Sequence, residues 1–326
     1  LLKSTSVTPK RNGYFFLASI NFILSKSDFN SISKSFKVGK SLHDLITLFK
    51  YILFFSLMYK DFKSKFIWNF LYAFKVEPKL LKVTEYALVN EKLPESFNGL
   101  KIVQFSDIHF GVSTGEKEMN QVIDKINYLK PDILVFTGDL FDDSINLTTS
   151  DMEYLTSALS KLNANIVKLA VKGDEDYLDE NCFTDIFTKA NFKILESENL
   201  PIYYESDTPI YISGISSITK NKYDLTNAFK KENTNNLQIF LVHEPVIFDD
   251  VQNETDFVLS GHSLGGLIRL PFINGVYKES NTGNYQKGIY KQKNSTLIVN
   301  GGIGTQKISA RFNNIPEINL YRLYNN

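Results

Sequence analysis

Cysteine is all but absent from this chain of 326 residues: there is one, Cys182. An internal disulfide framework and a CxxC-type metal site are therefore excluded. A solitary cysteine is more often a small buried hydrophobe than a nucleophile. Long apolar runs are lacking too. The uninterrupted stretches 13–24, 51–59 and 66–74 all fall well short of the roughly 20 residues that a spanning helix needs. No repeat period or low-complexity tract is present. No nucleic-acid-binding module can be found, and the larger part of the chain is acidic, so nucleic acid is not an expected partner.

Net charge is also lacking, but the formal zero is a sum of opposites. Residues 1–80 carry 13 Lys and Arg against 4 Asp and Glu, a balance of +9, and the remainder balances it at −9. A basic, aromatic-rich head on an acidic body is expected to meet an anionic surface. Within residues 42–74 the apolar texture is broken by Lys50, Lys60, Asp61, Lys63 and Lys65. That pattern predicts interfacial or re-entrant helices with lysine heads turned toward anionic lipid. A spanning segment with a snorkelling Lys50, and a helical pair packed on the body, are the alternatives. The first Met is Met58, which leads to an expectation of further residues upstream.

From residue 80 the texture changes. An apolar share of 43% supports a packed core. Short β-rich runs at 82–89, 101–105, 133–137, 166–171, 210–214, 238–242, 257–259, 296–299 and 318–323 alternate with polar segments. Helices are predicted over 116–129, 148–162 and 183–189. Strands alternating with helices predict a layered α/β domain over 79–326, with 1–78 as a helical membrane-associating segment.

The informative residues stand where the strands end. The turns are Ser106-Asp107-Ile108-His109, Gly138-Asp139, Gly173-Asp174-Glu175-Asp176, then His243, and Gly261-His262-Ser263-Leu264-Gly265-Gly266. Open α/β sheets place ligand sites at the carboxyl ends of their strands. Only four histidines exist, and three of them fall in these turns; His43 reads as an ordinary helix residue. An isolated Asp-x-His says little, because period 2 puts both side chains on one face. Five such turns in order are hard to explain as satisfied core polar groups.

The order Asp-x-His, Gly-Asp, Gly-Asn-His-Asp/Glu, His, Gly-His-x-His resembles the signature of calcineurin-like metallophosphoesterases. The resemblance is nearest to the membrane-anchored bacterial phosphodiesterases. It extends to Val76–Thr84, to the Gly265–Pro271 run and to Ala310-Arg311-Phe312-Asn313-Asn314 with Pro316-Glu317. It implies an αββα sandwich of two mixed sheets and a two-metal site that hydrolyses a phosphomonoester, phosphodiester or pyrophosphate, lipid-linked substrates included. Carried over by position, one ion would use Asp107, His109 and Asp139. The second would share Asp139 and add Asp174, His243 and His262. Such carboxylate and imidazole sets suit Mn²⁺, Fe or Zn²⁺, and two ions about 3.5–4 Å apart are apt for in-line attack on phosphorus. Arg269 and Arg311 are candidates to clamp a phosphate. Asp142 and Asp143 follow the Gly-Asp turn, either supporting it or merely solvated. The glycine-rich 300–304 stretch lacks a P-loop's Lys and reads as a tight turn.

Three positions depart from the pattern. Asp174 replaces Asn and adds charge; Glu175 replaces the His that lies near the phosphate; Leu264 replaces a ligand His. Three remaining ligands plus water can still hold a catalytic ion. Glu175 is the candidate acid if neighbouring carboxylates raise its pKa. The rival reading is a metal-binding pseudoenzyme with a regulatory or scaffolding role.

Overall fold

The computed structural model describes residues 68–230, 235–270 and 275–325. Of the membrane-associating segment expected over 1–78, residues 1–67 lie outside that description. Residues 68–79 are helical, ending in a π-turn at Tyr72–Val76 and a 3₁₀ turn at Glu77–Lys79. Among the described residues no helix is long and apolar enough to cross a membrane.

Two six-stranded mixed sheets face each other. The first has the order β1 (Lys82–Val89), β12 (Glu317–Tyr324), β2 (Lys101–Phe105), β3 (Ile133–Thr137), β4 (Val167–Val171), β5 (Lys193–Ile194). All of its neighbours are parallel except β12 and β2. The second has the order β10 (Gly288–Gln292), β11 (Ser295–Val299), β9 (Phe257–Ser260), β8 (Gln238–Leu241), β7 (Ile210–Gly214), β6 (Glu198–Ile202). Its central pairs are parallel and its two edge pairs antiparallel.

The period-2 alternation of each central strand feeds two cores. In β3, Ile133 and Val135 point between the sheets, while Leu134 and Phe136 point to the helices. Both faces are dry, so the strand is one unbroken apolar run, as buried parallel strands are. The helical layer consists of α1 (Glu116–Leu129), α2 (Thr149–Ser160) and α3 (Glu180–Lys189). Helix α1 buries Met119, Val122, Ile123 and Ile126, a 3-4 spacing that makes one apolar stripe. Its first turn is closed by Glu118 Oε2, which accepts from Gly115 N at 3.2 Å. Helix α2 starts at Thr148, whose hydroxyl accepts from Asp151 N. The Thr148 cap contributes about 1 kcal/mol. The outer face of the second sheet is covered by the short helices α4 (Leu225–Ala228) and α5 (Phe248–Val251) and by Tyr285. The result is helix, sheet, sheet, helix, with the carboxyl ends of β2, β3, β4, β8 and β9 meeting at one edge.

Candidate metal centre

At that edge the backbone is bent sharply. Asp107, His109, Asp139 and His262 all have positive φ, at 51°, 43°, 62° and 68°. Non-glycine residues held in this region cost about 1–3 kcal/mol each and persist only where the surroundings enforce it. Here the enforcement is visible. Ile108 N donates to Asp139 O at 2.7 Å, Asp107 N donates to Gly138 O at 2.9 Å, and Gly304 N donates to Asp107 O at 2.7 Å. Glycine is required where the turns touch. A Cβ on Gly173 would lie 2.1 Å from Asp139 Oδ1, and one on Gly138 would lie 2.5 Å from His243 Nδ1.

These bends gather six side chains into two overlapping groups. Asp139, Asp174, His243 and His262 form one; Asp107, His109 and Asp139 form the other. Within each group the candidate ligand atoms lie within 4.8 Å of one another. Asp139 Oδ2 lies 3.0 Å from His243 Nε2 and 3.7 Å from His109 Nε2. Asp174 Oδ1 lies 3.3 Å from His243 Nε2 and 3.2 Å from His262 Nδ1. Asp174 Oδ1, His243 Nε2 and His262 Nδ1 are buried and make no hydrogen bond. Buried polar atoms left in this way are costly, and a cation at their centre relieves all three at once. The other nitrogen of each ring is already committed. His243 Nδ1 is 2.7 Å from Thr137 O, and His262 Nε2 meets Ser280 O. A ring that donates to a carbonyl on one side turns its lone pair to the other, the tautomer a metal ligand needs.

The charge balance says the same. Burial by itself would lower each imidazole, yet Asp142, Asp139 and Asp107 carry His109 up to about 9, and Asp174 carries His262 up to about 9. His243 is likewise raised well above its ordinary value, against burial, by Asp139, Asp174 and Asp107. Burial acts upward on Asp174, but His243 and His262 hold it far below the usual carboxylate range. Asp107 is pushed up by burial and by Asp139. The carboxylates that raise the rings would equally favour a divalent cation among them.

Four residues around the cluster were not legible as supports, or only partly so. Asp176 is fully buried and accepts from Asp139 N, Leu140 N and Gly173 N at 2.7–2.8 Å, locking two ligand turns together. Its place in the run Asp174-Glu175-Asp176 is the only hint the sequence offers. Asp142, a candidate support, has Oδ2 3.1 Å from His109 Nδ1. Asp107 takes the Ser106 hydroxyl on one oxygen and His262 N, at 2.8 Å, on the other. Gln306 donates to Glu175 Oε1 at 2.9 Å, a contact across 131 positions that no motif announces.

Glu175 is nine-tenths buried beside the cluster, its N–H donating to Asp139 Oδ1 at 3.0 Å. Burial first, then Asp139, Asp143 and Asp174, raise its carboxyl to about 7. Leu264 is fully buried, packed with Leu267 and Ile268. It lies next to Gly302, where an added Cβ would come within 3.1 Å of both Leu264 Cδ2 and Asp107 Oδ2. The arginines are placed differently from the ligands. Arg311 is fully buried, with all three nitrogens donating to the carbonyls of Gly301, Gly304 and Asn314. It braces the loop beneath Asp107 and has no open face. Arg269 Nη1 donates to Gly265 O at 3.0 Å and is partly exposed.

Comparison with known proteins agrees with this arrangement. The family model for calcineurin-like phosphoesterases matches residues 100–266, which hold all six candidate ligands and Glu175. The uncharacterised metallophosphoesterase YkuE of Bacillus subtilis is 30% identical over 77% of this chain and 88% of its own length. The UDP-2,3-diacylglucosamine pyrophosphatase LpxG of Chlamydia trachomatis is 29% identical over 78% of this chain and 92% of its own. A transmembrane protein with a metallophosphoesterase domain from Danio rerio is 27% identical over 61% of this chain and half of its own. Bent strand ends, a shared aspartate and the match across half the sequence converge: this chain belongs to the calcineurin-like phosphoesterase family.

Proposed function

We propose that the chain is a metal-dependent phosphoric ester hydrolase of the phosphodiesterase or pyrophosphatase type, acting at a membrane. The observation that carries this reading is the pair of ligand groups joined by Asp139. Asp107, His109 and Asp139 would hold one divalent ion; Asp139, Asp174, His243 and His262 would hold the other, with Mn²⁺, Fe²⁺ or Zn²⁺ suited to the donors. Bound ions would supply Lewis acidity toward a phosphoryl group. The chain's own part is to orient the ester and to handle protons. Glu175, its carboxyl raised to about 7, would hold a proton for a leaving oxygen, help worth about 10²–10⁴ in rate.

The membrane element divides the chain at 78/79, with 1–78 as the attachment segment and 79–326 as the hydrolase domain. Support comes from the +9 balance of residues 1–80 and from Trp68, Phe70, Leu71 and Val76, which are exposed beside Lys75 and Lys79. Likeness to LpxG supports a lipid-linked pyrophosphate or diester as substrate. A second reading, a metal-binding pseudoenzyme with a regulatory role, draws on Leu264 and Glu175, which stand where the family motif has histidines. The experiment that separates them is turnover of bis(4-nitrophenyl) phosphate by Mn²⁺-loaded protein, with elemental analysis of the same sample. Two ions with turnover support the hydrolase; ions without turnover on this ester or on a lipid pyrophosphate support the pseudoenzyme; no ions sink both.

A further inference from the structure

We infer that Gln306, seated on Tyr277, is a positioning residue that holds the Glu175 carboxyl against the metal-ligand cluster. The inference rests on the hydrolase reading for its consequence, but not for its geometry. Glu175 is pinned at its two ends. Its backbone N–H donates to Asp139 Oδ1 at 3.0 Å, and its Oε1 accepts from Gln306 Nε2 at 2.9 Å. Gln306 is itself fixed, because its Oε1 lies 2.7 Å from the Tyr277 hydroxyl, which also meets Glu279. Gln306 is 5% exposed and Glu175 9%, so water does not compete strongly for these bonds.

The physical need for the clamp lies in the neighbours. Glu175 follows Asp174 directly and its N–H binds Asp139 Oδ1, so its carboxyl stands at the edge of the ligand cluster. With its tip unheld it would be free to turn away from that edge or onto a bound ion; the Gln306 amide fixes one orientation. An amide does so without cancelling the charge, as a Lys or Arg at position 306 would. The chain also brings three distant segments to one point: the turn after β4 with Glu175, the 301–306 loop beneath Asp107, and Tyr277 in the segment after Gly275. Glu175 stands where the family motif has histidine, and its partner amide comes from outside the matched residues 100–266.

A merely structural tie between the 175 turn and the 306 loop would make the same bonds, so the test must ask whether Gln306 acts through Glu175. The full chain, loaded with Mn²⁺, is compared as wild type, Gln306→Leu, Glu175→Gln and the double variant. On bis(4-nitrophenyl) phosphate, Gln306→Leu is expected to lower kcat by about 10- to 100-fold, as small misplacements of an acting group do, with KM within about twofold. In the Glu175→Gln background the same change should cost nothing further. Tyr277→Phe should move kcat in the same direction by less. The Mn²⁺ dissociation constant gives a second reading of the cycle. A carboxyl released from Gln306 shifts it several-fold, and only where Glu175 is present. Equal, additive losses in both backgrounds and on both readouts would overturn the inference. Wild-type protein that binds Mn²⁺ without turnover removes the hydrolase reading, and the inference then stands or falls on the affinity cycle. Protein that binds no Mn²⁺ overturns both.

Discussion

The two ligand groups share Asp139 and otherwise differ in how they are held. In the group with His243 and His262 both rings lean on backbone carbonyls, those of Thr137 and Ser280. Carbonyls fix the tautomer but add no charge, and four side chains close the group. In the other group His109 leans on a carboxylate, Asp142, at 3.1 Å, and only three side chains contribute. Leu264, where the resemblance would put a further histidine, is fully buried. Loaded with ions, the first group would hold more tightly, and the second would leave its ion more open positions, with Asp142 supporting the His109 ring.

The largest expected effect removes the comparison altogether. Asp139→Ala takes the shared carboxylate from both groups, so ion content should fall to near zero by elemental analysis. Retention of one ion at full occupancy would show that the groups are independent. Next comes Glu175→Gln, which should lower kcat by about 10²–10⁴ while ion content stays unchanged. Loss of ions in that variant would recast Glu175 as a ligand. Smaller again is Asp142→Asn. Supports of this kind are worth about 10- to 100-fold in metal affinity, and the loss should fall on one ion of two. A two-site Mn²⁺ titration with both constants shifted alike would erase the proposed asymmetry.

Much of this was written in the chain. The strand β3 and its Gly138-Asp139 turn are legible because an unbroken apolar run can end nowhere else, and three of four histidines fall in strand-end turns. The edge strands were harder. Strand β6 contains Pro201 and starts with Glu198 and Asn199, and β10 is never buried. Strand β5 is only two residues long. Without a dry face a strand carries no apolar pattern. The roles of Asp176, Gln306 and Arg311 depend on which loops the fold brings together. Position 311 shows the limit clearly: a motif arginine reads as a phosphate clamp until its donors are found on Gly301, Gly304 and Asn314.

The subtlest way to sharpen the comparison is pH. Without ions the surrounding carboxylates raise His109 and His262 to about 9, against about 6.5 in an unfolded chain. A basic group raised by folding contributes stability that is fully present below the unfolded value and is lost as pH rises through the folded one. Chelator-treated protein should therefore lose several degrees of Tm between about pH 6.5 and 9. Glu175, raised to about 7, adds a decline of the same sign at lower pH. Asp174, held low by the two rings, opposes it only under strongly acidic conditions. Ions reverse the slope, because they bind the deprotonated rings and compete with protons, so Mn²⁺-saturated protein should gain stability over the same window. Parallel profiles with and without Mn²⁺ would mean that the ions bind elsewhere. Where the profiles cross, His109→Asn and His262→Asn assign the slope. If the carboxylate-backed ring carries its share alone, His109→Asn flattens the metal-free decline without touching the Asp174–His243 contact at 3.3 Å. His262→Asn removes a partner of Asp174 as well, and so also shifts the acid limb upward.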